Sequence, residues 1–195
     1  MQLKTESNGS AYQMKSTTYY HSPIGWIEIQ ASCDAVTSLV FCDERKNDTC
    51  NGSVIPAECV RQLDEYFSGQ RTEFDLPVKQ AGTKFQQSVW NVLTDIPFGA
   101  TVSYGFVAKM LNNPKSVRAV GAANGRNMVW IIVPCHRVIG ADGSLTGYAG
   151  GLERKKWLLD HEARVLKNMG QSVSSMKLET SNLNPEGLAE GKLET

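Results

Sequence analysis

Residues 131–140 read IIVPCHRVIG. An apolar run, Ile131-Ile132-Val133, stops at Pro134, and a thiol, an imidazole and a guanidinium then occupy Cys135, His136 and Arg137. The expected local structure is a short core strand over Trp130–Val133 with Cys135 at its end. A lone cysteine is most often a small buried hydrophobe. Here His136 and Arg137 bring charge that can lower a thiol pKa, and a glycine-rich loop, GADGSLTGYAGG (140–151), follows at once and can wrap a planar ligand. A thiolate is a soft nucleophile, suited to acyl carbon, disulfides or saturated alkyl carbon. In an extended chain Cys135 and His136 would point to opposite faces, so His136 can act as a base only if the chain turns there or a water bridges. A carboxylate able to orient it lies in WLLDHEARVL (157–166), at Asp160 or Glu162, which would complete a Cys/His/acid relay; a surface position at the helix edge is the plainer alternative.

Upstream, KSVRAVGAANG (115–125) crowds Ala119, Gly121, Ala122, Ala123 and Gly125 into one helix. Each glycine costs roughly 1 kcal/mol against alanine there, so something approaches the backbone closely. A neighbouring helix or a nucleic-acid groove would both do so, and Arg118 near the helix start could reach phosphates or bases. Before it, Ser103 can cap a short helix, YGFVAKML, that stops at Asn112-Asn113-Pro114; the pair reads as a helix-turn-helix. Thr83 can cap an earlier helix through KFQQSVWNVLTDI, with Phe85, Val89, Trp90 and Leu93 on one face. Downstream, 152–166 form an amphipathic helix expected to carry Leu152, Lys156, Leu159 and Ala163 near one face, with Trp157 and Leu158 beside it.

The first 80 residues differ in kind. TTYYHSPIGWIEIQA (17–31) reads as two strands around a turn at 22–25, AVTSLVFC (35–42) as a third, 43–53 as a polar loop and 56–67 as a helix. The organisation expected is a flexible 1–16, a small antiparallel α+β domain at 17–80, a mainly helical domain at 83–167 and a disordered 168–195 in which KLET occurs twice.

Of 195 residues 41% are hydrophobic and 21% charged, enough to bury a core. No run has the apolar length to cross a membrane, and the polar start points away from secretion. Net charge is zero, yet 84–167 carry 11 Lys+Arg against 5 Asp+Glu while 1–83 carry 7 against 11. A basic middle suits a polyanionic partner or is uneven surface charge. Five cysteines, an odd number without CxxC, argue against a disulfide framework or zinc finger.

PCHRV (134–138), GYAGGLERKKWLLDHE (147–162), RAVGAANGRN (118–127) and FGATVSYGFVAKML (98–111) together resemble the O6-alkylguanine-DNA alkyltransferase family, in wording closer to its bacterial than its mammalian members. The resemblance is strong over 83–166 and weaker over 17–80, where SPIGWIEI and DEYFSGQRTEFDLPV carry it. It implies an α+β fold: an N-terminal antiparallel, ribonuclease-like domain, then a mainly α domain with a helix-turn-helix and an active-site strand. It implies a monomer that binds duplex DNA through the minor groove, with Lys115, Arg118, Ala119, Gly121 and Ala122 on the DNA face and Arg118 filling the gap left by a flipped base. O6-alkylguanine, less efficiently O4-alkylthymine, would lose its alkyl group irreversibly to Cys135. His136 would serve as base through a water, Glu162 would orient it, and Tyr104 would contact the base and help protonate the departing guanine. Asn127 would tie the recognition helix to the active-site strand; Val138, Tyr148 and Ala149 would line the guanine pocket. No cofactor is implied. The zinc of some mammalian members is not expected, since only Cys33 stands at a ligand position. The compartment implied is the nucleus for a eukaryotic source and the cytoplasm for a bacterial one. Met128, where proline is frequent, and the bulky Trp130 depart from the family and bear on which alkyl groups fit.

Two other readings compete. One is a DNA-binding regulator that uses Cys135 as an alkylation or redox sensor. The other is a papain-type Cys/His hydrolase, which leaves the helix-turn-helix unexplained.

Overall fold

In the antiparallel order β1-β2-β3, strands β1 (Ser16–Ser22), β2 (Gly25–Ala31) and β3 (Val36–Cys42) form the N-terminal sheet of the computed structural model, which describes residues 15–49 and 54–170. Most of the expected flexible start and tail, and part of the polar loop, lie outside those residues. The strands form because alternate positions are apolar: Ile27, Ile29 and Ala31 turn inward and are buried. The turn at 22–25 closes with Ser22 Oγ donating to the Gly25 carbonyl at 2.7 Å. Helix α1 (Ile55–Phe67) covers the sheet with Cys59, Leu63, Tyr66 and Phe67, spaced on one helical face as the sequence pattern requires.

Helix α2 (Lys84–Thr94) starts at a capping box in which the Thr83 hydroxyl accepts from Gln86 N and the Gln86 side chain accepts from Thr83 N. It buries Val89, Trp90 and Leu93. Ser103 caps α3 (Tyr104–Met110) by accepting from Phe106 N. A turn through Asn112, at φ +53°, and a 3-10 turn at Pro114–Ser116 lead into α4 (Val117–Asn124). The expected helix from Lys115 therefore begins as 3-10 and becomes α-helical at Val117. Trp90 Nε1 donates to the Ala123 carbonyl at 2.9 Å and fixes α4 against α2. Two short parallel strands, β4 (Val102–Ser103) and β5 (Val138–Ile139), pair across this unit.

Two expectations are corrected. Trp130–Val133 is not a strand. Val129 makes one parallel bridge to Leu39, and the chain then turns through Ile131 at φ +70°, with Val133 N donating to the Val129 carbonyl at 2.9 Å. The run is apolar because it is buried, and it is a turn because the Asn127 side chain supplies the bonds a neighbouring strand would. Its Nδ2 donates to the Val133 carbonyl at 2.8 Å and its Oδ1 accepts from Val129 N at 3.0 Å. A β-branched residue at positive φ costs on the order of 1–3 kcal/mol, offset here by complete burial of Ile131.

The second correction concerns α5 (Leu152–Asn168). Its inward stripe is Lys155, Leu158, His161, Glu162 and Val165, while Leu152 is exposed. Periodicity favoured the wrong face because three polar side chains occupy buried positions.

The two halves share hydrogen bonds. At the edge of β3, Leu39 N donates to the Met128 carbonyl at 2.7 Å and Trp130 N donates to the Leu39 carbonyl at 2.8 Å. The N-terminal sheet thus grips the turn that leads to Cys135.

Candidate active site

Cys135, His136 and Arg137 form a single 3-10 turn, all three buried. The chain turns where a relay needs it to, so adjacent residues no longer oppose each other as in a strand. Cys135 N donates to the Val133 carbonyl at 2.8 Å and Arg137 N to the Pro134 carbonyl at 2.9 Å. The end of α4 reaches the same turn, with Asn124 Nδ2 donating to the Cys135 carbonyl at 3.4 Å.

Glu162 is the hub. On Oε1 it accepts from His136 Nε2 at 2.8 Å, Tyr66 Oη at 2.9 Å and Arg137 Nη2 at 3.0 Å. On Oε2 it accepts from Gly99 N at 2.8 Å and Arg137 Nε at 3.0 Å. Gly99 has φ +74°, and a Cβ there would collide with Leu166 Cδ1, so only glycine presents its N–H at this spot. Burial alone would raise the Glu162 pKa. The Arg137 charge and the hydrogen bonds from His136 and Arg137 outweigh it and hold the carboxyl far below the usual range. The carboxylate is therefore ionised and His136 Nε2 must carry the proton it donates. That tautomer leaves Nδ1 with a lone pair, and Nδ1 has no partner among the described residues. Burial pushes the His136 pKa below its ordinary value despite Glu162, so the ring is neutral and able to accept a proton.

Burial pushes the Cys135 thiol up to about 11; a hydrogen bond from Asn127, the Lys155 charge and the Cys135 and His136 backbone N–H groups pull the other way. Those donors are what would stabilise a thiolate once a ligand triggers its formation.

Lys155, wholly buried, donates through Nζ to the Val138 carbonyl at 2.6 Å and the Thr146 carbonyl at 2.7 Å. Burial lowers its pKa to about 8. It staples β5 to the glycine-rich loop, and Tyr104 Oη donates to the same Thr146 carbonyl at 3.2 Å. Tyr104 is half-buried, and burial raises its pKa, so it holds its proton at neutral pH. Tyr148 is buried against Trp130, ring centroids 5.7 Å apart, and Ala149 is exposed beside it. Trp130 stands between Phe41 and Tyr148 with Nε1 bonded to the Asn127 carbonyl, so its bulk backs the loop. Met128 is exposed.

Lys115 in the 3-10 turn and Arg118, Ala119 and Ala122 on α4 are exposed and Gly121 is partly so, whereas Val120, Ala123 and Asn124 face inward. A Cβ at Gly121 would only touch the Tyr104 ring at an ordinary 3.9 Å. Internal packing therefore does not account for that glycine, and the smooth face looks outward.

The structure thus brings Cys135, His136, Glu162, Asn127, Val138 and Tyr148 into one buried cluster, with Tyr104 at its margin and the α4 residues on the surface. Asn124, Tyr66, Gly99 and Lys155 were missed as site residues, and Arg137, expected to act on the thiol, pairs with Glu162 instead. Lys155, at 155-158-162-165, shares one helical stripe with Leu158, Glu162 and Val165, which is the signal that could have found it. Lys155→Met is expected to take the Nζ donor from the Val138 carbonyl, at roughly 1–3 kcal/mol, and to leave the Thr146 carbonyl with Tyr104 alone. Faster amide exchange confined to the glycine-rich loop, with slower thiol chemistry, is the result to look for; an unchanged loop would contradict the stapling role.

Two family models match the chain: "6-O-methylguanine DNA methyltransferase, DNA binding domain" over residues 84–164 and "6-O-methylguanine DNA methyltransferase, ribonuclease-like domain" over residues 16–80. The methylated-DNA–protein-cysteine methyltransferase of Methanosarcina mazei is 48% identical over 157 residues, which cover 76% of this chain and 99% of that protein. The Mycolicibacterium paratuberculosis protein of the same name is 46% identical over 147 residues, covering 73% and 89%. Among solved structures, Mycobacterium tuberculosis O6-methylguanine methyltransferase superposes with TM-score 0.69 at 42% identity, over 76% of this chain and 93% of that one. The M. tuberculosis OGT protein in complex with DNA gives TM-score 0.69 at 43% identity, over 75% and 93%. The chain belongs to the O6-methylguanine-DNA methyltransferase family.

Proposed function

We propose that this chain repairs DNA by taking the alkyl group of O6-alkylguanine onto Cys135 in a single irreversible displacement. The observation that carries the reading is the buried Cys135–His136 turn in which Glu162 fixes the imidazole tautomer and leaves Nδ1 free to accept a proton. The thiol proton passes to His136 Nδ1 through a water, which a buried unpartnered nitrogen readily holds. Sγ then attacks the alkyl carbon. The S–C bond forms, the C–O6 bond breaks, and its electron pair returns to the guanine, which takes a proton from Tyr104; the tyrosine recovers it from the His136 side through solvent. No group in the site can expel a thiolate from the resulting thioether, so each molecule acts once.

O6 lies on the paired edge of guanine, inside the duplex, and Cys135 lies at the floor of a buried turn. The base must therefore leave the stack to meet it. The slim exposed face of α4 suits close approach to the minor groove, and Arg118, exposed near the start of that helix, would fill the gap left behind. Arg118→Ala is expected to slow transfer from a duplex by about tenfold or more, the equivalent of losing one contact of roughly 1–3 kcal/mol. Transfer from free O6-methylguanine base should be unaffected. Equal slowing on both substrates would count against a flipping role.

A further inference from the structure

Tyr66 belongs to the last turn of α1 in the N-terminal half, 96 residues from Glu162 in sequence, yet its hydroxyl touches the relay. The side chain is completely buried. A ring cage holds it, with Phe67 at 5.2 Å, Phe74 at 5.4 Å, Phe98 at 5.9 Å and His161 at 5.3 Å between centroids. The phenol and the His136 imidazole donate to the same oxygen, Glu162 Oε1, at 2.9 and 2.8 Å.

We propose that Tyr66 is a positioning residue of the alkyl-transfer site, through which the N-terminal half of the chain sets how readily His136 takes a proton. The proposal rests on the reading of Cys135 as alkyl acceptor. A carboxylate oxygen has about two lone-pair directions, and Oε1 serves the phenol, the imidazole and Arg137 Nη2 together. The hydroxyl therefore competes with His136 for the electron density that would stabilise an imidazolium. The other groups facing the ring and its carboxylate are Arg137 from the active-site turn, Lys155 and His161 from α5, and Gly99 N from the loop after α2. Arg137 and Lys155 disfavour a charged imidazole and Glu162 favours it. Tyr66 weakens that favourable partner without adding charge. Burial, with the neighbouring Glu162, keeps the phenol protonated well above its ordinary range, so it donates at every working pH.

Loss of the hydroxyl in Tyr66→Phe returns Oε1 to His136 and Arg137. The His136 pKa, followed by NMR in the full chain, is expected to rise by about 0.5 unit or more. The acid limb of single-turnover methyl transfer from an O6-methylguanine duplex should move to higher pH by the same amount. Phe74→Leu, which loosens the same ring cage and keeps the hydroxyl, should lower Tm and shift neither. A Tyr66→Phe protein of lower Tm with an unmoved titration and limb would overturn the proposal, as would an equal shift in Phe74→Leu. Absence of transfer at every pH in the unmodified protein would instead sink the alkyl-acceptor reading, and the His136 titration would still decide the Tyr66 contact.

Discussion

Incubated with a duplex carrying one O6-methylguanine, the protein is expected to gain the mass of one methyl group and no more, whereas Cys135→Ser should gain none and still bind the duplex. The site's stabilising power explains the size of the difference. Asn127, Lys155 and two backbone N–H groups can bring a buried thiol within reach of ionisation by His136. A serine hydroxyl begins far higher and gains only the same modest help, so transfer should fall by on the order of 10⁴-fold or more, as when a nucleophile is removed from a preorganised site. The product state carries its own signature. Cys135 is only 2% exposed, and one added methyl in so tight a turn costs about 1–3 kcal/mol. At roughly 2–4 °C per kcal/mol for a chain of this size, the methylated protein should melt several degrees below the unmodified one in calorimetry. A second methyl, or any gain in Cys135→Ser, would place the acceptor elsewhere.

Much of this architecture was legible in the chain because it follows from local chemistry. The alternation in β2, the Thr83 and Ser103 caps and the 59-63-66-67 stripe of α1 each satisfy hydrogen bonds or bury carbon within a few residues of themselves. The misreadings share one cause. Around Cys135 the rule that apolar side chains mark the interior fails, since Lys155, His161 and Glu162 point inward and each satisfies itself on backbone groups. A periodicity argument weighs those residues as polar and turns the helix the wrong way. The turn at 130–133 failed for a related reason. Asn127 stands in for a neighbouring strand, and no pattern within IIVP announces that. Tyr66 and Gly99 lie furthest from legibility, since their roles exist only through contacts 96 and 63 residues away.

Glu162→Gln should show how far stability and chemistry share that carboxylate. Arg137 is almost wholly buried, with Glu162 as its charge partner and the Ile96 carbonyl, 2.6 Å from Nη1, as its neutral one. An amide has the shape of the carboxylate but no charge, and its nitrogen donates toward Arg137, Gly99 N or His136, all of which already donate. Leaving a buried cation without its counter-charge costs roughly 3–5 kcal/mol, or about 10 °C of Tm. Unmodified protein should also lose stability on acidification. The folded-state pKa values of Glu162 and His136 both lie below their unfolded values. The unfolded chain therefore binds more protons, starting as the pH falls through about 6.5 for the histidine and continuing through about 4.3 for the carboxyl. Glu162→Gln should flatten the carboxyl part of that slope. The double variant Arg137→Met/Glu162→Leu separates the two roles. Removing both charges avoids the orphaned cation and should recover most of the lost stability. His136 would still lack the acceptor that selects its tautomer, so methyl transfer should stay low. Recovery of transfer along with Tm would mean that the carboxylate matters to the fold alone and that His136 needs no partner to act as base.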